Sequence, residues 1–388
     1  MKNSKAIAAA LSAVASLAFS LTPALASTAS NDTTGWNSYN KAEVEVDNDV
    51  DVDQSNYATI TNNISVYSNT GGNEANKNTG EGAVSTGDAS VNVSLSNTAN
   101  SNSVSLENCG TCTTDSSASN TKTGADSYNK AEVEVDNEVD IDQKNKAYVD
   151  NNVGVYSNTG KNEANKNTGG GSVDTGDSEV TVSVETMVNE NSASLGGGDG
   201  GSLSASNDQT GADSKNKAEV EVDNDIDVDQ YNKADIDNDI YVKANTGKNE
   251  ANKNTGEGEI STGDADVEVG IKNTANSNSA DLDVCCDVEL EASNEKTGAD
   301  SYNKAEAEVD NDVDIDQKNK AYVDNNGKIK ADTGNNETNK NTGDDQDTGN
   351  ANVDVDVATT ANENSVNGDQ GDGESNNVDV NVNVNSSN

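Results

Sequence analysis

The chain of 388 residues contains no histidine and no arginine, and its only proline (Pro23) and only phenylalanine (Phe19) both precede Ser27. Each absence closes off a class of function. Histidine is the side chain that ordinarily titrates near neutral pH and the commonest metal ligand, so the usual general base is missing. Arginine supplies the planar, bidentate clamp for phosphate and carboxylate groups, so that mode of capture is missing too. Aromatic residues amount to 3% and hydrophobic residues to 31%, too few for a conventional globular core. Basic residues are scarce as well: 24 Lys stand against 70 Asp and Glu, a net charge of −46. That charge repels nucleic acid and anionic membrane surfaces, so neither is an expected partner. By composition alone such a chain belongs with disordered proteins.

What the chain does have is pattern. Lys2 and Lys5 precede an apolar stretch from Ala6 to Leu21, and Ala24, Leu25 and Ala26 supply a small-x-small cleavage signal. Residues 1–26 therefore read as a secretory signal peptide, too short and too Ala-rich for a membrane anchor. Its removal leaves 22 Lys against 70 acids, a charge of −48. The expected location is secreted, extracellular or at the cell surface, with no inserted membrane segment.

The remainder is a fourfold repeat. A Thr-Gly-x-x-Ser-x-Asn-Lys-Ala string places its glycine at Gly35, Gly124, Gly211 and Gly298, so the steps are 89, 87 and 87 residues. The expected units are 27–122, 123–209, 210–296 and 297–388, the last carrying the C-terminal tail. A finer Asn-x-Ala period starts at Asn40, Asn56 and Asn73 and recurs in each unit, with Asn336-Glu337-Thr338 as a variant. Its step is about 16–17 residues, a fixed period of the kind that marks stacked repeats.

Within a unit, apolar and amide residues alternate with charged ones. From Asn129 to Asn151 the odd positions are Asn, Ala, Val, Ile and Gln, and the even positions are Lys, Glu, Asp and Tyr. Period two is the period of a strand, whose side chains alternate faces, and it places apolar residues all round a helix. The absence of proline after the leader suits a ladder in which every amide donates. The expected fold is all-β: an elongated β-solenoid of four tandem units of about 87 residues, each built of rungs of about 16–17 residues, with Asn and Gln stacked in ladders.

Asn137-x-Val139-x-Ile141-x-Gln143 followed by Asn145-x-Ala147-x-Val149-x-Asn151 resembles the two strands of a curlin-type repeat, and Gly160-Lys161-Asn162-Glu163-Ala164 resembles its Gly-rich corner. The likeness covers roughly the first 35 residues of each unit, through short motifs. Proteins of that kind form secreted β-solenoid fibres in bacterial biofilms, which is the role the resemblance implies. More loosely, the chain is similar to Asn-rich repetitive bacterial surface proteins.

The acidic face is the strongest chemical feature. Asp47, Asp49, Asp51 and Asp53 follow Glu43 and Glu45 on alternate positions, and Asp136, Asp140 and Asp142, then Asp225, Asp227 and Asp229, then Asp312, Asp314 and Asp316 repeat the row. Hard oxygen ligands of this kind suit Ca²⁺. The alternative is a solvated coat that keeps a long solenoid soluble. A standard calcium loop fails at Asp49, because Gln54 stands in place of the glycine and Ile60 in place of the final glutamate. Any Ca²⁺ binding is then expected to be multi-site, and no other cofactor is expected.

The four cysteines are Cys109, Cys112, Cys285 and Cys286; Cys109 lies as far beyond Gly35 as Cys285 lies beyond Gly211, so the two pairs hold one place in the repeat. Export favours disulfides over catalytic thiols. A local Cys109–Cys112 bridge, a vicinal Cys285–Cys286 ring, a link between the pairs, a link between chains and a four-thiolate zinc site all stay open. With no residue set for catalysis, the expected function is that of a secreted structural or adhesive protein, such as a surface adhesin, fibre subunit or biofilm-matrix component, not an enzyme. Its expected partners are other copies of itself or other surface and matrix components. The alternative is an acidic repeat protein that binds Ca²⁺ or mineral and orders on cation binding.

Overall fold

In the computed structural model, described for residues 2–11, 14–20, 27–107, 115–196, 201–282, 289–368 and 379–387, every regular element is a β-strand. Strands β1 (Lys2–Leu11) and β2 (Val14–Ser20) precede the repeat. The first unit supplies β3 (Ser27–Asp32), β4 (Tyr39–Asn69), β5 (Gly82–Ser85) and β6 (Ala89–Glu107). The second supplies β7 (Ser116–Thr123), β8 (Tyr128–Asn158), β9 (Gly171–Thr175) and β10 (Ser178–Leu195). The third supplies β11 (Ser202–Thr210), β12 (Lys215–Asn245), β13 (Glu257–Thr262) and β14 (Ala265–Leu282). The fourth supplies β15 (Glu289–Glu295), β16 (Tyr302–Asp332), β17 (Gly343–Asp347) and β18 (Ala351–Gly368), and β19 (Asp379–Ser387) ends the chain.

Equivalent strands pair in parallel, forming four sheets in the orders β19-β16-β12-β8-β4, β1-β6-β10-β14-β18, β15-β11-β7-β3 and β17-β13-β9-β5, with β2 also on β6. The register is one whole unit: Tyr39 lies opposite Tyr128, Tyr128 opposite Lys215, and Lys215 opposite Tyr302. The spacing of the repeat glycines in the sequence is therefore the stacking period.

The expected short rung, one Asn-x-Ala step long, is corrected: each rung is a whole unit. Asn40 and Asn56 do not stack on each other; both lie in β4, a single strand of 31 residues. The step from Asn40 to Asn56 is even, so it returns to the same strand face without any corner. None of the positive-φ residues falls between Tyr39 and Asn69, and the chain has nothing there with which to turn. The curlin-like segments likewise run on as one strand, since Gln143, Lys144 and Asn145 all lie inside β8. At about 3.3 Å per residue such a strand is roughly 100 Å long, while four parallel rungs occupy only about 20 Å. The long dimension runs along the strands.

Each rung is folded flat into two layers. The β4-type strands form one layer. The β6-type strands return across their second half, packing Val91, Val93 and Leu95 against Val153 and Val155, and Leu106 and Leu195 against Val139 and Ile141. The β3-type strands cover the first half, with Ala118, Leu203 and Ala205 on Ala131, Val133 and Val135. The short β5-type strands close the far end around Val173 and Ile260. The core is thin, but the apolar side chains of its middle rungs, such as Val133, Ile141, Val220 and Val228, are fully buried, and each fully buried Val or Leu contributes roughly 1.5–3 kcal/mol.

The turning points are also stacked. Thr33, Lys122, Gln209 and Lys296 all have positive φ at one corner, Asn37, Asp126, Asp213 and Asp300 at the next, and Lys77, Lys166, Lys253 and Lys340 at another. A fourth set, Asn100, Asn189, Asn276 and Asn362, sits inside the β6-type strands. There one extra residue switches the inward positions from odd (Val91, Val93, Leu95) to even (Asn102, Val104, Leu106), as a bulge does. The left-handed conformation tolerates asparagine, whose amide continues the column inward: Asn189 donates to the carbonyl of Lys233 at 2.7 Å and to Asn276 at 2.9 Å.

Length differences between units fall between strands, not within them. The register offset is 89 at Leu106–Leu195 but 87 at Ser116–Leu203, so the extra two residues of the first unit lie between its β6 and β7. The offset falls from 87 at Glu250–Glu337 to 86 at Glu257–Gly343, a deletion within one corner.

Candidate functional site: the carboxylate face and the amide columns

The long strands position two opposite surfaces by parity alone. Even-numbered residues of β4 face inward and odd-numbered ones outward, and pairing at one-unit offset turns each outward row into columns. Asp47 and Asp136 share a column with Asp223 and Asp310. Asp49 stacks with Glu138, Asp225 and Asp312; Asp51 with Asp140, Asp227 and Asp314; and Asp53 with Asp142, Asp229 and Asp316. All of the expected acidic residues thus meet on one face, along with Glu138, Asp223 and Asp310. Those three complete the columns once the true register is known.

Column neighbours in a parallel sheet lie about 4.8 Å apart, where like charges repel by roughly 0.9 kcal/mol even at the dielectric of water. Burial and these like-charged neighbours act together on protonation. Partial burial, with Asp229, Asp140 and Asp314 around it, pushes the Asp227 carboxyl up to about 6. Burial raises Asp140 next to Asp51, Asp223 next to Asp136, and Asp229 next to Asp316, while Glu138 is raised first by Asp49. Where a lysine is available the direction reverses. Burial alone would raise Glu132, but Lys130 and Lys41 hold it below its ordinary value. Lys41 reaches Glu132 at 3.5 Å and Lys130 reaches Glu219 at 3.8 Å, so these lysines bridge rungs. Lys144 pairs with Asp142, and Lys318 with Asp316.

Asp136, Glu138, Asp223, Asp225, Asp310 and Asp312 line a shallow open depression on this face. Among the described residues no three carboxylates or thiols close round one point as an ion would require. The face is a row of diffuse negative charge, able to hold a layer of counter-ions.

The inward surface carries the polar chemistry that composition hid. Asn40 donates to Asn129, Asn129 to Asn216 and Asn216 to Asn303, each at 2.7 Å. Gln143 donates to Gln54, Gln230 to Gln143 and Gln317 to Gln230, each at 2.8 Å. Asn62, Asn151, Asn238 and Asn325 form a further column. Each amide of these three columns thereby has a donor or acceptor from the rung beside it, which is the condition for burying it at all. The ladders expected from the sequence are present, but their partners lie one whole unit apart and not one Asn-x-Ala step apart.

On the outer face Tyr39 stacks on Tyr128 with ring centres 5.1 Å apart, and Tyr67 on Tyr156 at 4.9 Å. Trp36 is 73% exposed and donates to Asp126 of the next rung. Cys109, Cys112, Cys285 and Cys286 lie outside the described residues; the flanking Leu106, Leu195 and Leu282 are in register. Compared with models of protein families, with curated proteins and with solved structures, the chain matches none.

Proposed function

We propose that the chain is a secreted structural protein, working outside the cell as a surface adhesin, fibre subunit or matrix component. The observation that carries this reading is the in-register stacking of whole units, in which inward amides, apolar residues and corners all serve the contact between rungs. The outward face is given over to charge and tyrosine. Such a construction supplies stiffness and solubility. The test is far-ultraviolet circular dichroism of the chain beginning at Ser27, with electron microscopy on the same sample. A β-rich spectrum is expected, and a random-coil spectrum at every salt concentration would end the proposal.

A second reading is favoured by the carboxylate columns: divalent cations lying along them would relieve the repulsion that adds to burial in raising Asp227. Calorimetry with Ca²⁺, against Na⁺ at matched ionic strength, tests it. Heat uptake together with a higher melting temperature specific to Ca²⁺ is expected, and equal melting in the two salts would remove this reading.

A further inference from the structure

The four rungs leave two end faces, and their edges are unequal. On the first rung β3, β4 and β5 are edge strands, and on the fourth β15, β17 and β18 are. Open edges of long strands are templates for further pairing unless blocked by proline, bulges or covering segments. Neither end offers proline, because Pro23 is the only one and lies before the first rung.

Both ends already accept an additional parallel strand from outside the four rungs. Strand β1 lies along β6 with Lys2 opposite Ala89, the place a preceding rung would take. Strand β19 lies along β16 with Asp312 opposite Asp379, the place of a following rung, but covers only Asp312–Lys320 of a strand that runs from Tyr302 to Asp332. Strand β1 keeps the one-unit offset of the interior, with Lys2 opposite Ala89, whereas β19 pairs in parallel at a shorter offset, with Asp379 opposite Asp312.

The apolar columns show what is left uncovered. Val180, Val182 and Val184 in the second rung are each 1% exposed. Their equivalents in the fourth, Val353, Val355 and Val357, are 45%, 47% and 48% exposed. At the other end the same columns begin with Val91, Val93 and Leu95, which lie beneath the edge that β1 occupies. We infer that the fourth rung of one molecule stacks on the first rung of a second copy once the leader has gone, continuing the solenoid from chain to chain in the internal register. This rests on the structural reading above and names its partner.

The columns match across that junction as they do within the chain. Asn303 meets Asn40 of the second copy, and Gln317 meets Gln54, extending both amide ladders. Val353, Val355 and Val357 cover Val91, Val93 and Leu95. Lys330, the residue that follows Lys243 in its column, arrives over Tyr67, where Lys243 already sits 5.6 Å from the ring of Tyr156. Strand β19 occupies part of the receiving edge and must leave it, which makes the tail a detachable plug.

The experiment compares three chains beginning at Ser27 by sedimentation and fibre diffraction: the parent, Val382→Pro in the tail, and Val353→Lys combined with Val355→Lys and Val357→Lys. The parent is expected to form concentration-dependent filaments with a strand repeat of about 4.8 Å along the axis. Val382→Pro removes a strand amide from the plug and is expected to shorten the lag several-fold. Filaments from Val382→Pro alone would support the same interface, held closed by the tail. The lysine triple is expected to keep its β spectrum and stay monomeric, because its side chains are already half exposed. Folded monomers in both the parent and Val382→Pro, or filaments from the triple equal to those of the parent, would overturn the inference. Either result leaves the structural role standing, whereas a random-coil spectrum in all three sinks that role itself.

Discussion

The side-chain amide of Gln143 donates to Gln54, 89 residues earlier, at 2.8 Å and at the same time to the carbonyl of Ser192 in the opposite layer at 3.1 Å. One buried side chain thus ties rung to rung and layer to layer. Replacing Gln143 with leucine keeps the volume but strands the Gln54 oxygen, and an orphaned buried acceptor costs about 1–3 kcal/mol. Gln317 stands at the other end of this column, and no donor among the described residues reaches its buried Oε1. Gln317→Leu removes that orphan along with the bonds. Urea denaturation is expected to show a smaller loss for Gln317→Leu than for Gln143→Leu.

The corner after each of the first three long strands brings backbones too close for a side chain. A Cβ on Gly160 would sit 2.0 Å from the carbonyl oxygen of Gly247. Gly160→Ala must shift two rungs at once and is expected to cost at least the roughly 1–3 kcal/mol of an overpacked site. Gly270, on the outer face of β14, meets nothing within 4 Å. Gly270→Ala is expected to be neutral or to stabilise by about 0.4–1 kcal/mol through the unfolded chain. Thermal melting of the two variants side by side checks the contrast.

Acid should stabilise this protein over a defined window. Asp227 titrates in the folded chain at about 6, above its value in an unfolded one. Its folded state therefore binds the proton more tightly, so stability rises as pH falls from above 6 towards 4. Asp140, Asp223 and Asp229 shift in the same direction. Glu132, held below its ordinary value, acts oppositely, contributing stability above about 4.5 that is lost as pH drops through its folded value. Melting temperature is expected to be higher near pH 5 than at pH 8, and Asp227→Asn should raise the pH 8 value and flatten the profile. A melting temperature that rises steadily up to pH 8 would refute this.

Salt should act along the columns and leave the interior alone. The reach of an exposed charge falls from about 30 Å at 0.01 M to about 8 Å at 0.15 M, so added salt weakens the repulsion along the exposed carboxylate rows. The melting temperature of the parent chain is expected to climb with NaCl. A variant with Asp49, Asp225 and Asp312 replaced by asparagine should start higher and climb less.

Much of this was legible in the sequence. The alternation from Asn129 to Asn151 assigned inward and outward faces, and the steps between Gly35, Gly124, Gly211 and Gly298 are the steps of the stack. The rung size was not legible, because Asn40 and Asn56 carry a true periodicity that happens to be even and so costs the strand no turn. The bulge at Asn100 left a trace in the change from odd to even apolar positions between Leu95 and Val104. Recognising it needs the knowledge that one asparagine there adopts positive φ, and neighbours alone do not supply it. The acidic residues were found individually, but which carboxylate faces which depends on register, so the raised Asp227 became visible only in three dimensions.

Insertions and deletions separate the units only at corners and between β6 and β7, never within a 31-residue strand. A residue added to β8 alone would turn every later side chain inside out relative to both β4 and β12. No single copy can change its own width. A wider or narrower version of this protein has to arise by recopying whole units, while each corner is free to drift by itself. The strands thus keep a shared gauge, and the turns keep the record of how the copies diverged.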